Sequence, residues 1–354
     1  MEAAKMRLGS SIPVPCVQEL AKSTASTIPP RYLRPDQDPP FISDSTALPQ
    51  LPVIDMHLLF SPEFMDSELQ KLDFASKEWG FFQLINHGVS SSLLEKVKSG
   101  VQELFNMDME EKKKYWQREG EIEGFGQTFV VSEEQKLDWG DMFALITLPT
   151  YLRKPHLLPC LPLPLRDDLE AYSTEMKDLA MKILDQMAKA LRMESSDMRC
   201  IFEEGMQSIR MNYYPPCPQP ELAIGLNAHS DATGLTILLQ VNEMEGLQVR
   251  KDGMWIPVNP LPNAFIVNIG DILEIVTNGI YRSIEHRATV NSEKERLSIG
   301  TFSSPKLEGE FGPASSLVNA DSPALFKRIG FVDYLKGHLS RKLDGKSYLD
   351  AMRI

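Results

Sequence analysis

The residue pattern predicts a mainly β protein with flanking helices: a double-stranded β-helix (jelly-roll, cupin-like) core between N-terminal and C-terminal helical regions. Two observations carry this. From Ser208 onward the apolar period is two, in short runs at residues 208–214, 235–241, 247–250, 255–258, 264–268, 272–277, 282–290 and 297–302. Closely spaced short strands of this kind suit two facing sheets. Ahead of them the period is helical, most clearly over residues 165–191, where Leu165, Leu169, Tyr172, Met176, Leu179, Ile183, Met187 and Leu191 recur at intervals of three or four residues.

Residues 1–50 are rich in Pro and Ser and read as an extended arm over the body. Residues 51–205 form a helical and mixed region, 206–305 the jelly-roll core, and 306–354 a helical tail that could act as a lid over a pocket. Within the mixed region, Leu69, Leu72, Phe74 and Ala75 mark a helix ended by Gly80. Residues 81–86 are a β-branched and aromatic strand, and Ser90 to Ser92 supply N-cap candidates for a helix burying Leu94, Val97, Val101, Leu104 and Phe105. Residues 123–127 read as a loop, and its Gly124 and Gly126 are no nucleotide fingerprint, since the third glycine and the strand-before, helix-after context are missing. In the core, Lys251-Asp-Gly253 and Asn278-Gly279 are hairpin signals. Residues 331–339 and 347–352 look helical.

The chain has 354 residues, 42% hydrophobic and 24% charged, enough to bury a large core. A net charge of −12 argues against a nucleic-acid partner, whose affinity comes mainly from neutralised phosphates. Lys112-Lys113-Lys114 is the densest basic cluster and reads as a solvated helix face. No run of 18 apolar residues occurs, the start of the chain lacks a signal-peptide core, and the four cysteines (Cys16, Cys160, Cys200, Cys217) form no Cys-x-x-Cys. A cytoplasmic protein without a membrane partner and with reduced thiols is expected, most simply a monomer.

The chemistry concentrates between Asn227 and Phe302. His229 and Asp231 stand two positions apart, a spacing that on a strand puts imidazole and carboxylate on one face. His286 follows in a second alternating run. Two His and one carboxylate leave the other positions of a metal open, which suits non-haem Fe(II) holding a co-substrate and O2. Downstream, Arg296 and Ser298 again share a face by period two, a geometry suited to gripping a carboxylate. The remaining histidines, His57, His87, His156 and His338, read as structural.

Longer motifs accompany this set: Pro52-Val-Ile-Asp55, Glu78-Trp-Gly-Phe-Phe-Gln83, Asn86-His-Gly88, Glu123-Gly-Phe-Gly-Gln127, Arg210-Met-Asn-Tyr-Tyr-Pro-Pro-Cys-Pro-Gln-Pro220 and Leu261-Pro-Asn-Ala-Phe-Ile-Val-Asn-Ile-Gly-Asp271. On these residues the chain resembles plant Fe(II)/2-oxoglutarate-dependent dioxygenases, most closely the senescence-related branch that contains alkaloid O-demethylases. The resemblance implies His229, Asp231 and His286 as iron ligands. It places Arg296 and Ser298 on the distal carboxylate of 2-oxoglutarate, with Asn212 and Tyr214 helping to hold it. Phe302 matches a position that stacks on aromatic substrates in flavonoid-oxidising relatives. Phe125, Met142 and Phe143 are weaker pocket candidates, for which core packing is the favoured reading. Gly300 stands where relatives usually carry alanine and Ala228 where many carry proline, so the substrate cannot be copied from one relative.

The implied function is hydroxylation or oxidative O-demethylation of a plant specialised metabolite (alkaloid, flavonoid, coumarin or similar), an aromatic or polycyclic small molecule. The co-substrates are 2-oxoglutarate and O2, the products include succinate and CO2, and ascorbate serves as reductant. Desaturation or ring closure at the same site is the alternative within enzymes. A metabolite-binding protein without turnover is the alternative outside them, and the intact set of five site residues argues against it. A zinc hydrolase fits the ligands but leaves Arg296-x-Ser298 unexplained.

Overall fold

The computed structural model describes residues 11–23, 26–35, 48–118, 120–342 and 345–354. The parts of the expected N-terminal arm and C-terminal tail outside these ranges lie outside the described residues. In chain order the elements run α1 (Val17–Ser23), β1 (Val53–Asp55), α2 (Met56–Leu59), α3 (Met65–Phe74), β2 (Phe81–Ile85), α4 (Ser91–Asn106) and α5 (Met109–Lys112). They continue with β3 (Gly124–Gly126), β4 (Asp141–Leu148), α6 (Leu165–Ala190), α7 (Ser195–Phe202), β5 (Gln207–Tyr214), β6 (Leu226–His229), β7 (Leu235–Gln240) and β8 (Leu247–Lys251). Then come β9 (Met254–Pro257), β10 (Phe265–Ile269), α8 (Asp271–Val276), β11 (His286–Ala288), β12 (Arg296–Ser303), α9 (Phe331–Leu339) and α10 (Ser347–Asp350). A two-residue ladder between Glu310–Phe311 and Ile329–Gly330 precedes α9.

Two sheets face each other. The larger has eight strands in the order β1-β2-β10-β7-β12-β5-β4-β3, and the smaller four in the order β6-β11-β8-β9. Period-two alternation sorts the large sheet's side chains. Ile209 and Met211 on β5, Leu297 and Ile299 on β12, Ile237 and Leu239 on β7 and Val267 on β10 point to one side. There they join Tyr172, Met176 and Ile183 of α6 in the main core. Helices α3, α4 and α7 pack on α6 and complete that layer. The opposite face, carrying the residues between these, looks toward the small sheet and is free to hold chemistry.

The expected helices at 165–191 and 331–339 appear as α6 and α9, and α4 buries the five residues that the pattern marks. Ser90 is the N-cap of α4 but makes no side-chain cap bond. The segment 272–277, expected as a strand, is α8. All six residues of that helix are buried, so its apolar run carries no period to separate helix from strand. Asn278-Gly279 is therefore not a hairpin but the helix terminus. Both residues have positive φ (52° and 79°), and the Gly279 N–H donates to the Glu274 carbonyl. Lys251-Asp-Gly253 does turn β8 into β9, with Asp252 and Gly253 both at positive φ. Part of the expected loop 123–127 is strand β3, which pairs with β4, and α7 had no signal strong enough to place it.

The arm is not wholly extended. Its helix α1 is clamped to the start of β4 by the Asp141 carboxylate, which accepts from the backbone N–H groups of Val17 (2.9 Å) and Gln18 (2.8 Å) and from the Cys16 thiol (3.1 Å). Beside this clamp Val17, Ile28 and Tyr32 pack with Trp139 and Tyr214, so the arm backs the wall of the site. Asp141→Ala leaves two buried donors without partners. We expect a loss of about 2–4 kcal/mol, read as a lower urea midpoint at unchanged slope, and early proteolysis ahead of β1. An unchanged midpoint would show that the clamp contributes nothing.

Candidate metal and co-substrate site

Strands β6 and β11 are paired so that His229 lies directly opposite His286, with ring centroids 4.3 Å apart. β6 ends at His229, and Asp231 reaches the same point from the bend beyond it rather than from a continuing strand. The Oδ1 of Asp231 lies 3.5 Å from Nε2 of His229 and 3.6 Å from Nε2 of His286. Among the described residues, this trio is the group of three His, Cys, Asp or Glu side chains whose ligand atoms all lie within 4.8 Å of one another.

The surrounding groups aim these atoms inward. Nδ1 of His229 faces the Asn227 carbonyl at 2.7 Å, and Nδ1 of His286 faces the Ile284 carbonyl at 3.2 Å. A carbonyl can only accept, so each Nδ1 carries the proton and each Nε2 keeps its lone pair for a metal. The other carboxylate oxygen of Asp231, Oδ2, accepts from Thr236 Oγ1 at 2.6 Å and Asn268 Nδ2 at 2.7 Å, leaving Oδ1 for the centre. Thr236 and Asn268 come from paired positions of β7 and β10 on the large sheet, and Phe81 beside them sets its edge on the His286 ring at 5.2 Å. Burial works to raise the Asp231 pKa, but His286, His229 and Thr236 outweigh it and hold the carboxylate ionised well below its ordinary range. Burial, then His229, lowers His286 to about 4, so its imidazole is neutral at pH 7, as a ligand must be.

One strand over, Arg296 and Ser298 of β12 pair with Tyr214 and Asn212 of β5, which places all four side chains on the inner face. Arg296 is 3% exposed. Its Nη2 donates to Gln240 Oε1 at 3.2 Å, its Nε has no partner among the described residues, and its guanidinium lies 5.5 Å from the Tyr214 ring centroid. Asn212 Oδ1 is likewise buried without a partner. Burial lowers the Arg296 pKa from its ordinary value, yet a guanidinium stays charged. A buried cation with no carboxylate beside it is costly until an anion arrives. Gly246 makes room for the arginine, because a Cβ there would stand 2.8 Å from Arg296 Cδ.

Triad, arginine and serine line one cavity of about 210 Å³, and Phe302 lines it too, two strand positions beyond Gly300. A Cβ on Gly300 would approach the Phe302 ring to 3.1 Å, so glycine is what lets the ring lie back. Phe125, Met142 and Phe143 do not line this cavity. Phe125 and Phe143 stack on each other at 4.8 Å on the helix-facing side of the sheet, and Met142 is buried near the start of β4 beside Gln127 and Tyr214. Strand parity puts Phe125 and Phe143 on the core side, whereas Met142 pairs with Asn212 and so shares the inner face while lying outside this cavity. Of the histidines taken as structural, His87 fits that reading: its Nδ1 accepts the Val89 N–H, and its Nε2 lies 3.0 Å from the Asn263 carbonyl. His338 does not. It lines the cavity with Leu335 and Leu339 of α9, whereas none of the described residues 345–354 does. Gly345 instead pairs with the backbone at His229.

Known proteins resemble this chain along nearly its whole length. Residues 205–305 match the 2OG-Fe(II) oxygenase superfamily, and residues 51–160 match the family described as non-haem dioxygenase in morphine synthesis N-terminal. The chain is 59% identical to Protein SRG1 of Arabidopsis thaliana, over 100% of each chain. It is 57% identical to oxoglutarate-dependent flavonoid 7-O-demethylase 1 of Ocimum basilicum, over 99% of this chain and 94% of that one. With codeine O-demethylase of Papaver somniferum it shares 55% over 99% and 98%. Among solved structures, JOX2 in complex with 2OG, Fe and JA superposes with a TM-score of 0.89 at 35% identity, over 97% of this chain and 98% of that one. The chain belongs to the 2OG-Fe(II) oxygenase superfamily. It is a 2-oxoglutarate-dependent dioxygenase that takes iron and 2-oxoglutarate and acts on a small molecule.

The residues present fit both groups: two free Nε2 lone pairs and a pinned carboxylate for the iron, and for the acid a buried guanidinium with no ion-pair partner among the described residues. Thr236→Val removes one of the two bonds that hold Oδ2. We expect Fe(II) to bind roughly 10- to 100-fold more weakly in an anaerobic titration, with the urea midpoint little changed; unaltered affinity would mean that Thr236 does not orient Asp231. Arg296→Lys keeps the charge but loses the planar fork. The expected result is a KM for 2-oxoglutarate raised about 10- to 100-fold with kcat largely kept, and an unchanged KM would remove Arg296 from the anchoring role.

Proposed function

We propose that this dioxygenase O-demethylates a methoxylated aromatic plant metabolite of the flavonoid or alkaloid kind. The observation that carries the reading is the shape of the site: a mostly apolar chamber with Phe302 on one wall opens directly onto His229, Asp231 and His286. Its similarity to a flavonoid and a codeine O-demethylase, each along nearly the full chain, supports the reaction class.

His229, Asp231 and His286 would hold the iron, the two imidazoles offering Nε2 and the carboxylate Oδ1. Arg296 and Ser298 grip the distal carboxylate of 2-oxoglutarate, and Asn212 and Tyr214 steady the rest of it from the neighbouring strand. Bound together, iron and 2-oxoglutarate supply O2 activation coupled to decarboxylation of the oxo acid to succinate and CO2. Phe302 and the apolar wall exclude water and present the methoxy group to the triad. One oxygen atom of O2 enters succinate and the other the methyl carbon; the resulting hemiacetal breaks its C–O bond to give a phenol and formaldehyde. Per turnover, ArOCH3, O2 and 2-oxoglutarate become ArOH, HCHO, succinate and CO2.

The test is a panel of methoxyflavones and methoxylated benzylisoquinolines incubated with enzyme, Fe(II), 2-oxoglutarate and ascorbate. At least one member should release formaldehyde and succinate in equal amounts, with none from Asp231→Ala. A product heavier by one oxygen, with its methoxy group intact, would replace the reading with hydroxylation. A product lighter by two hydrogens would replace it with desaturation or ring closure.

A further inference from the structure

The cavity's outer wall is not uniformly apolar. Helix α9 contributes Leu335, His338 and Leu339, and of these only His338 can form hydrogen bonds. Its ring makes none among the described residues. It is held by other rings instead, edge-on to Phe129 with centroids 5.2 Å apart at 76°, and tilted against Tyr348 at 5.6 Å. Burial, and after it the nearby His229, lowers the His338 pKa to about 4. At neutral pH the ring therefore offers one N–H donor and one bare nitrogen, the pair that a hydroxyl group can use from either side.

The residue backing His338 is itself unusual. Phe129 stands at φ 65°, a left-handed conformation that a bulky aromatic seldom adopts. Its loop is fixed by the Gln135 amide donating to the Phe129 carbonyl (2.8 Å) and by Ser11 Oγ accepting from the Val130 N–H (3.2 Å). Such strain persists where the surroundings over-determine it, commonly at ligand sites. Here its effect is to set the Phe129 ring on the cavity wall against His338.

Other polar groups share the cavity wall, and Thr128 Oγ1, Thr233 Oγ1 and Arg210 Nε are buried there without a hydrogen-bond partner among the described residues, but none of them belongs to α9. Glu123 accepts the Ile146 N–H at 2.8 Å. Arg210 sits on the strand row of Gly300 and Ala144, one step from the 2-oxoglutarate residues.

We propose that His338, braced by Phe129, is a substrate-orienting residue: it hydrogen-bonds a hydroxyl group of the aromatic substrate and so decides which end faces the iron triad. This rests on the reading of the cavity as an aromatic-substrate chamber. The probes are 4′-hydroxy-7-methoxyflavone and 7-methoxyflavone, which differ only in the hydroxyl group. Their Kd values are measured by fluorescence quenching on protein loaded with Mn(II) and 2-oxoglutarate, for wild type, His338→Phe and His338→Gln.

The expected result is that His338→Phe weakens the hydroxylated probe about tenfold and leaves the other within about twofold. His338→Gln should recover most of the loss, with Mn(II) and 2-oxoglutarate affinities unchanged throughout. Equal losses for both probes, or no loss for either, overturn the role of His338 while leaving the chamber reading intact. If wild type binds neither probe, the aromatic-chamber reading falls, and this proposal with it.

Discussion

The pairing of β6 with β11 is the constraint on which the site depends. It sets His229 opposite His286, and because both belong to the small sheet their separation is fixed by the ladder rather than by loops. The large sheet then completes what the small one begins. Thr236 and Asn268 reach across the gap to occupy one oxygen of Asp231, and Phe81 fixes the His286 ring from the same side. Neither sheet makes a metal site alone. The space between them is where a ligand-ready carboxylate can stay ionised while the His286 imidazole stays neutral.

The same economy of buried charge governs the co-substrate end. A guanidinium in an interior is normally matched by a carboxylate of its own chain; Arg296 has a glutamine amide, an aromatic face and an unpartnered Nε instead. The folded chain carries that cost so that a dicarboxylic acid arriving from solution completes the pairing. Preorganisation here is electrostatic: the site's strongest interaction is held ready for a molecule that has yet to bind.

Much of this was legible in the sequence because it is local. His-x-Asp, Arg-x-Ser and the period-two runs report which residues share a face, and α6 and α9 announce themselves by their spacing. What was not legible depends on register between distant strands. Nothing near Thr236, Asn268 or Gln240 marks them as partners of Asp231 and Arg296; the β10-β7-β12 pairings alone bring them there. At Phe143, where core packing is the favoured reading of the sequence, the pairing with Met211 puts the ring on the core side. The uniformly buried α8 shows the limit of periodicity, and His338 shows that finding a helix does not say which of its residues meets the cavity.

Gly300 has a consequence for how this chamber can diversify. Its missing methyl group is the space into which the Phe302 ring reclines, so the breadth of the chamber is stored as an absence on the backbone of β12. Restoring one carbon there would press on the Phe302 ring at 3.1 Å and make it give way slightly, while leaving every ligand and the co-substrate anchor in place. Substrate range and catalytic machinery are thus carried by alternate features of a single strand, and the first can drift in steps of one methyl group while the second stays still.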